Sequence, residues 1–430
     1  MSVNQIKDKV QREGLNHWWK RGCKGTLEYA TGVGKSRCGV LAAQFVVKNK
    51  PNAKILIITP TQTIRDEAWV QEFKNWDAGK LLNINVNIQC IQTVYKWKNQ
   101  HYDLIIADEI HNYIPDVKKT DYQYYKFFEN NTFDKILGLS ASISNDLKPR
   151  LWKVAPVIDT IDTNDALKLG LISPFVVYNL SVDLTPAEKE AYNRATELFE
   201  KTFSIFTDSR GYRNIQVLFK CLNPTFFKAF CISEGYSPEQ YKQMRNWPQL
   251  CQNAMKARKE ILYNSEGKIK AIEEIVNEFP DRRGIVFSQS IDFANTVTNR
   301  LGVNIAHSFH SKIPKKTRKE NLDDFNDLST PTKIIVSASA LNEGANLKDV
   351  SLAIIASGTS KEKDFIQRLG RSVRLQPGKQ AIMIRLYVKG TQDEKWMESS
   401  QENFSGIEIS DIQEVNNFKQ EKKLDNVYKL

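Results

Sequence analysis

The chain has 430 residues, of which 41% are hydrophobic and 26% are charged, as in soluble globular proteins of two or three domains. Its 61 basic and 50 acidic residues give a net charge of +11, which favours a polyanionic partner. The six cysteines form no C-x-x-C pair, no apolar run is long enough to span a bilayer, and the N-terminus is too polar for a signal peptide. These features exclude zinc-ribbon, disulfide-framework and membrane-spanning classes, and we expect a reducing, cytoplasmic compartment with no membrane partner.

The first part of the chain alternates apolar strands and amphipathic helices from residue 26 onwards. The candidate strands read "TLEYA", "KILIIT", "DLIIAD" and "KILGLSA". This alternation predicts a parallel sheet covered by helices. We place this first domain at residues 1–155 and a linker at 156–183.

A glycine-rich loop, "ATGVGKS" at residues 30–36, follows the first candidate strand and precedes a helical pattern. Gly32 and Gly34 would let backbone N–H groups approach phosphates closely, Lys35 would reach the β- and γ-phosphates, and Ser36 would offer its hydroxyl to Mg²⁺. Tyr29 departs from the usual pattern, which has glycine at that position; an incidental turn is the alternative. The motif predicts that ATP is held by Thr31, Gly32, Val33, Gly34, Lys35 and Ser36.

A pair of carboxylates ends the strand in "DLIIADEIH", residues 103–111. Ligands bind at the carboxyl ends of strands in such sheets, so Asp108 would hold Mg²⁺ through water and Glu109 would polarise the attacking water. His111 would link this site to its neighbours. The alternative is a solvated acidic loop, which the upstream phosphate loop disfavours.

The middle of the chain, 184–264, shows no strand alternation and predicts a helical insert rich in aromatic and basic residues. Its basic residues, such as Lys201, Arg210, Arg213 and Lys220, would suit a second nucleic-acid surface. The favoured alternative is that the aromatic residues simply form the core of the insert.

Strand and helix alternation resumes over residues 265–400, with "RGIVFSQ", "KIIVSASA", "SLAIIAS" and "QAIMIRLYV" as candidate strands, and a tail follows at 401–430. Within this second domain, "QRLGRSVR" places Arg371 and Arg374 three residues apart and therefore on one helix face. Two guanidinium groups facing a γ-phosphate would stabilise the charge that develops during its transfer. A basic helix face without a ligand is the alternative.

The motif order "ATGVGKS", "DEIH", "LSAS", "IVFSQS", "SASALNEGANL", "QRLGRSVR" resembles the superfamily-2 DEAD/DEAH-like helicases and translocases, from about Gln11 to about Lys395. Within that family, "DEIHN", "LGLSAS" and "LTPAEKEAY" look most similar to small phage UvsW-like or restriction-type DNA helicases. The resemblance implies an α/β fold with two tandem RecA-like parallel-sheet domains, a helical insert between them, and ATP bound between the domains. It also implies a prokaryotic or phage-infected host cell.

The same resemblance implies roles for further residues. Gln11 would read adenine, Gly344 would sense the nucleotide and the strand, and Gln367 would face the γ-phosphate. Ser140 and Ser142 would couple hydrolysis to domain closure, whereas Asn346 stands where many members have aspartate. Nucleic-acid contacts are implied at Thr59, Pro60, Thr61, Thr93 and Ser288.

Together these features predict a nucleic-acid-stimulated ATPase that uses ATP and Mg²⁺ and acts as a helicase or translocase on single-stranded or branched DNA. Three alternatives share the motifs: an RNA helicase, a non-motor ATP-gated DNA annealing or clamp factor, and a subunit of a restriction complex. The sequence names no protein partner.

Overall fold

A computed structural model of the protein describes residues 3–62, 64–115, 122–171, 175–338, 347–357, 381–401 and 406–415. The chain divides into two compact units, the first containing the chain up to Val176 and the second containing most of the remaining residues. Each unit is built on its own sheet, of six and seven strands respectively. Over the described ranges, we find no helix with the length and apolar character that crossing a membrane requires.

The first sheet has the strand order β3-β2-β4-β5-β1-β6, and its five neighbouring pairs are all parallel. Its strands are β1 (Lys24–Tyr29), β2 (Ile55–Thr59), β3 (Val86–Cys90), β4 (His101–Asp108), β5 (Thr132–Ser140) and β6 (Val157–Ile161). The central strands are apolar on both faces because helices cover both: Ile57 and Ile106 pack into one core cluster, and Ile58 and Ile105 into another.

Helices connect these strands. They are α1 (Val3–Lys20), α2 (Lys35–Asn49), α3 (Val70–Asn75), α4 (Ile91–Val94), α5 (Lys126–Asn130), α6 (Lys148–Val154) and α7 (Thr163–Lys168). A π-helical segment, Ile64–Trp69, precedes α3 directly, and a short 3₁₀ turn, Ile110–Asn112, follows β4.

The second sheet has the order β13-β7-β12-β11-β8-β10-β9. Its strands are β7 (Phe175–Val182), β8 (Arg283–Ser288), β9 (Ala306–His310), β10 (Ile334–Ala338), β11 (Val350–Ile355), β12 (Ala381–Val388) and β13 (Ile407–Ile409). The pairs β8/β10, β9/β10, β11/β12 and β7/β13 are parallel. The accompanying helices are α13 (Glu266–Glu278), α14 (Ile291–Leu301), α15 (Lys315–Asn326) and α16 (Gln392–Gln401).

Five helices lie between β7 and α13 and belong to the second unit. They are α8 (Pro186–Phe203), α9 (Ile215–Cys221), α10 (Pro224–Ser233), α11 (Pro238–Met244) and α12 (Trp247–Tyr263). Helix α8 begins with a capping box, in which Thr185 and Glu188 satisfy each other's backbone N–H groups. Phe206 and Phe227 form part of the buried core of these helices, and Arg213 pairs with Glu200 at 2.5 Å.

This architecture confirms the predicted fold class: two RecA-like parallel sheets with covering helices and a helical insert. Two segments differ from the expectation. The predicted linker, 156–183, contains β6, α7 and β7, and the predicted tail contains β13. Both β6 and β13 are short sheet-edge strands with mixed polarity, so they lack the continuous apolar run that marks a central strand. The remaining boundaries stay predictions.

Candidate functional site

The carboxyl ends of the first sheet's strands meet at one edge. Parallel register pairs Glu28 of β1 with Ser140 of β5, and Asp108 of β4 with Leu139 of β5. Likewise, Thr59 ends β2 beside Cys90 of β3. The loops that follow these strands therefore lie together, at the position where open α/β sheets bind ligands.

The loop after β1 has the backbone that a phosphate cradle needs. Gly32 and Gly34 adopt φ angles of 93° and 96°, which residues with a Cβ atom rarely adopt. Gly34 is also the N-cap of α2, so the positive end of that helix faces the loop. A Cβ atom on Gly34 would collide with the amide nitrogen of Gln11. These features suit the binding of a phosphate chain.

Tyr29 anchors the start of this loop. The ring is fully buried, and its hydroxyl donates to Asp159 Oδ2 of β6 at 2.5 Å. Burial raises the pKa of Tyr29, and the hydrogen bond to Asp159 raises it further, so the hydroxyl keeps its proton. The carbonyl oxygen of Tyr29 accepts a 2.7 Å hydrogen bond from Nζ of the buried Lys35. The residue that departs from the usual glycine thus holds the loop's lysine through its backbone.

Gln11 of α1 lies against the same loop. Its buried side chain donates from Nε2 to the Val33 carbonyl oxygen at 2.7 Å, and its Oε1 accepts from Arg37 Nη1 at 2.5 Å. Arg37 also donates to Asp8. A hydrogen bond from Arg12, and a second one from Arg37 with a smaller effect, hold the pKa of the Asp8 carboxyl below its usual value.

Asp108 is buried at the end of β4 and is held in one orientation. Its Oδ2 accepts a 2.9 Å hydrogen bond from Trp69 Nε1, and its backbone carbonyl accepts one of 2.6 Å from the Tyr113 hydroxyl. Burial raises the pKa of Tyr113 well above its usual value, and the charges of Asp108 and Glu109 raise it further. Tyr113 therefore stays a neutral donor beneath the two carboxylates.

Glu109 has the left-handed backbone angles φ 50° and ψ 50°, which cost a residue with a side chain about 1–3 kcal/mol. Its Oε2 lies 3.5 Å from His111 Nδ1, which is 2.8 Å from Ser140 Oγ. The Ser140 hydroxyl donates to the Ser142 carbonyl oxygen at 3.0 Å, so it accepts from His111 and places a proton on Nδ1. The carboxylate is thereby linked to the loop after β5.

The expected nucleic-acid contacts differ in their exposure. Thr59 is buried with its hydroxyl 3.1 Å from the Thr61 carbonyl oxygen, and Ser288 is buried with its hydroxyl 3.0 Å from the Ser290 carbonyl oxygen. Pro60 and Thr61 are half-buried, and Thr93 on α4 is exposed. A phosphate could reach Thr61 and Thr93 directly, whereas Thr59 and Ser288 use their hydroxyls inside the protein.

Four predicted site residues, Gly344, Gln367, Arg371 and Arg374, lie outside the described residues, so their roles stay predictions. The structure adds side chains that sequence patterns did not indicate: Arg37, Trp69, Tyr113 and Asp159. Of these, only Arg37 had a signal in the sequence, because it directly follows the phosphate-loop motif.

Two protein families match separate parts of the chain. Residues 2–145 match the family described as "Type III restriction enzyme, res subunit", and residues 267–376 match the "Helicase conserved C-terminal domain". The first match spans the phosphate loop and the carboxylate pair, and the second spans the predicted arginine pair. The chain belongs to superfamily 2 of the helicases.

Sequence similarity to two other proteins supports that assignment. This helicase is 24% identical over 410 residues to the DNA 3'-5' translocase XPB2 of Sulfurisphaera tokodaii, covering 90% of this chain and 84% of that protein. It is also 24% identical to the putative ATP-dependent RNA helicase MJ1505 of Methanocaldococcus jannaschii, covering 86% of this chain but 56% of that protein. The helicase is therefore an ATP-dependent enzyme that acts on nucleic acid.

Solved structures share the fold of this helicase. The Pyrococcus furiosus Hef helicase domain superposes with a TM-score of 0.58 at 16% identity, covering 92% of this chain and 97% of that one. Saccharomyces cerevisiae Dbp5 bound to RNA and ADP BeF3 gives 0.55 at 14% identity, covering 96% and 92%. At these identities the likeness concerns the fold alone.

Proposed function

We propose that this helicase is a DNA translocase or helicase that hydrolyses ATP at the carboxyl edge of its first sheet. The observation that carries the proposal is the meeting of three features at that edge. These are a loop with left-handed Gly32 and Gly34, the buried Lys35, and the adjacent carboxylates of Asp108 and Glu109.

The loop residues Thr31 to Ser36 would hold the phosphates, with Lys35 exchanging the Tyr29 carbonyl oxygen for phosphate oxygens. Ser36 and Asp108 would hold Mg²⁺, which prefers hard oxygen ligands and, when bound, neutralises phosphate charge. Glu109 would orient the attacking water and accept its proton. His111, which contacts both Glu109 and Ser140, would couple the protonation of Glu109 to the loop after β5.

The second predicted domain, 265–400, would complete the chemistry from Gln367, Arg371 and Arg374, with Gly344 sensing the nucleotide. A catalytic arginine contributed by a separate element is common where charge develops on a transferred phosphoryl group. Hydrolysis would then alternate the grip of the two predicted domains on the strand.

DNA is the favoured partner because the match to XPB2, whose name describes a DNA translocase, covers most of both proteins. RNA is the second candidate: MJ1505 is named an RNA helicase, and the Dbp5 structure holds RNA. With either DNA or RNA, exposed Thr93 and half-buried Thr61 would contact phosphates. The net charge of +11 would add an attraction that does not depend on base sequence.

A prokaryotic cytoplasm is the proposed setting. All six cysteines are free and buried, as expected in a reducing compartment, and the two curated relatives are archaeal proteins. Fractionation of the source cells followed by immunodetection would test the location.

The deciding experiment compares steady-state ATPase rates with single-stranded DNA, duplex DNA, forked DNA and RNA, beside displacement of a labelled strand. We expect single-stranded or forked DNA to stimulate most, and affinity to fall steeply with salt. Stimulation by RNA alone would assign an RNA helicase. Stimulation by DNA without directional displacement would favour the non-motor annealing or clamp factor.

A further inference from the structure

The Gln11 amide is fixed in one orientation by its two neighbours. Its Nε2 donates to the Val33 carbonyl oxygen at 2.7 Å, and its Oε1 accepts from Arg37 at 2.5 Å. A reversed amide would place a donor against the guanidinium, where there is no acceptor, and an acceptor against the carbonyl oxygen, where there is no hydrogen. The contacts on the two sides therefore allow only the observed orientation.

Arg37 is itself held firmly. The residue is 9% exposed, donates to Asp8, and its guanidinium lies 4.0 Å from the centre of the Trp76 ring. Arg37 lies in the first turn of α2, where the helix dipole disfavours a cation. A buried residue that opposes a local preference and makes specific hydrogen bonds is commonly kept for its function.

The fixed amide retains one N–H and one oxygen lone pair after these two bonds, because an amide offers two donors and two lone pairs. A donor beside an acceptor complements adenine, which presents its N6 amino group beside N7. Guanine presents O6 beside N7, and both are acceptors, so one of them would oppose the Gln11 oxygen. The amide lies against Val33 and Gly34 of the phosphate loop, within reach of a nucleotide held there.

We infer that Arg37 is a positioning residue that orients the Gln11 amide so that the site accepts adenine and disfavours guanine. The inference rests on the proposed function, in that the loop must hold a nucleoside triphosphate with its base towards α1. It assigns Arg37 a role in choosing the base, separate from any attraction between its charge and the phosphates.

The test measures kcat/KM for ATP and GTP in the wild type, Arg37→Met, Gln11→Ala and the double variant. Methionine keeps an unbranched apolar chain over Trp76 but removes the donors. We expect Arg37→Met to lower kcat/KM for ATP about tenfold, mainly through KM, and to change GTP little, so that the ATP/GTP ratio falls. The double variant should match Gln11→Ala in this ratio, because Arg37 acts through Gln11.

Arg12→Met is the matched control, since Arg12 donates at 2.8 Å to the other oxygen of the same Asp8 carboxylate. It should leave the ATP/GTP ratio unchanged. Losing a charge near the triphosphate would weaken both nucleotides alike, so the ratio separates that effect from base selection.

Equilibrium binding of ADP and GDP by calorimetry gives the same ratio without turnover, and a thermal melt reports folding. If Arg37→Met does not fold, Asp8→Asn, which loosens the hold on Arg37, should shift the ratio in the same direction by less. An unchanged ADP/GDP ratio in the folded variant, or a double variant less selective than Gln11→Ala, would overturn the inference. A wild type that binds neither nucleotide would instead overturn the proposed function.

Discussion

The two sheets share an architecture but differ at their carboxyl edges. The first ends in a loop with two left-handed glycines, a buried lysine and two adjacent carboxylates. The second, where described, ends in hydroxyl and imidazole groups at Ser288 and His310, and then in the exposed Lys312. Parallel strands bring the loops together in both units, but the side chains in those loops differ, and for this reason we propose that the first sheet's edge carries the hydrolytic carboxylates.

The largest effect is expected from Lys35→Ala, which tests whether ATP is hydrolysed at the carboxyl edge of the first sheet. Removing the ammonium should abolish detectable ATP hydrolysis and weaken nucleotide binding, because alanine cannot make the charged contact with the β- and γ-phosphates. Steady-state ATPase assays measure the loss. Lys48→Ala, on the exposed end of the same helix, is the control, and normal turnover in Lys35→Ala would refute the assignment of the phosphate loop.

The next largest effect tests whether the second predicted domain, 265–400, adds to the chemistry of the first sheet's carboxyl edge. Arg371→Ala should fold and bind ATP but lose hydrolysis by on the order of a thousandfold, as for arginines that act on transition-state charge. DNA should then fail to stimulate the residual activity. A stable variant with near-normal, DNA-stimulated turnover would exclude Arg371 from the chemistry, and exposed Arg245→Ala serves as the control.

Glu109→Gln tests whether ATP binding and ATP hydrolysis depend on different carboxylates at the carboxyl edge of the first sheet. The amide keeps the shape of the side chain but cannot accept the proton of the attacking water, so turnover should fall about a hundredfold or more. ATP and DNA binding should persist, as measured by equilibrium titration, because Asp108 is unchanged. Exposed Glu129→Gln should behave as the wild type, and full activity in Glu109→Gln would require another base.

The smallest effect concerns stability rather than catalysis. In the second unit, Lys268 and Asp393 form a 2.6 Å ion pair that is 0% and 1% exposed, although its angles fall outside those of a hydrogen bond. Lys268→Met should destabilise that unit by about 3 kcal/mol, because it leaves a buried carboxylate unpaired. Denaturant titration measures the change. Lys50→Met in the first unit breaks a pair between the exposed Lys50 and the buried Asp103. It should change stability less, because Asp103 keeps a 2.6 Å hydrogen bond from the Lys54 N–H, and equal effects would contradict this ranking.

The long apolar strands of both sheets were predictable from the sequence. "KILIIT" and "DLIIAD" correspond to β2 and β4, and "QAIMIRLYV" to β12, because strands covered on both faces need continuous apolar runs. Strand β3 was not predicted, since "VNIQC" at a sheet edge alternates apolar residues with Asn87 and Gln89 and so lacks a continuous apolar run. Strand β9, "AHSFH", was missed for a similar reason, as its polar residues conceal its burial.

The local chemistry of the site was also readable from the sequence, but the contacts between distant segments were not. The glycines and Lys35 occupy one short segment, so their spacing alone indicates a phosphate loop. In contrast, Trp69 reaches Asp108 across 39 residues, and Tyr29 reaches Asp159 across 130. Such pairs depend on how helices cross the sheet and on strand order, which local periodicity does not determine.

Strand β13 has a consequence for anyone who shortens the protein. Ile407 to Ile409 pair with Tyr178 to Leu180 of β7, and Gly406 packs so closely on Asn179 that a Cβ atom there would clash. Cutting the chain before Gly406 would leave N–H and C=O groups along β7 unpaired, in a strand whose residues Val176 to Leu180 are buried and, except for Asn179, apolar. An open strand edge of this kind recruits other chains, so the truncated protein should aggregate even with its nucleotide site intact.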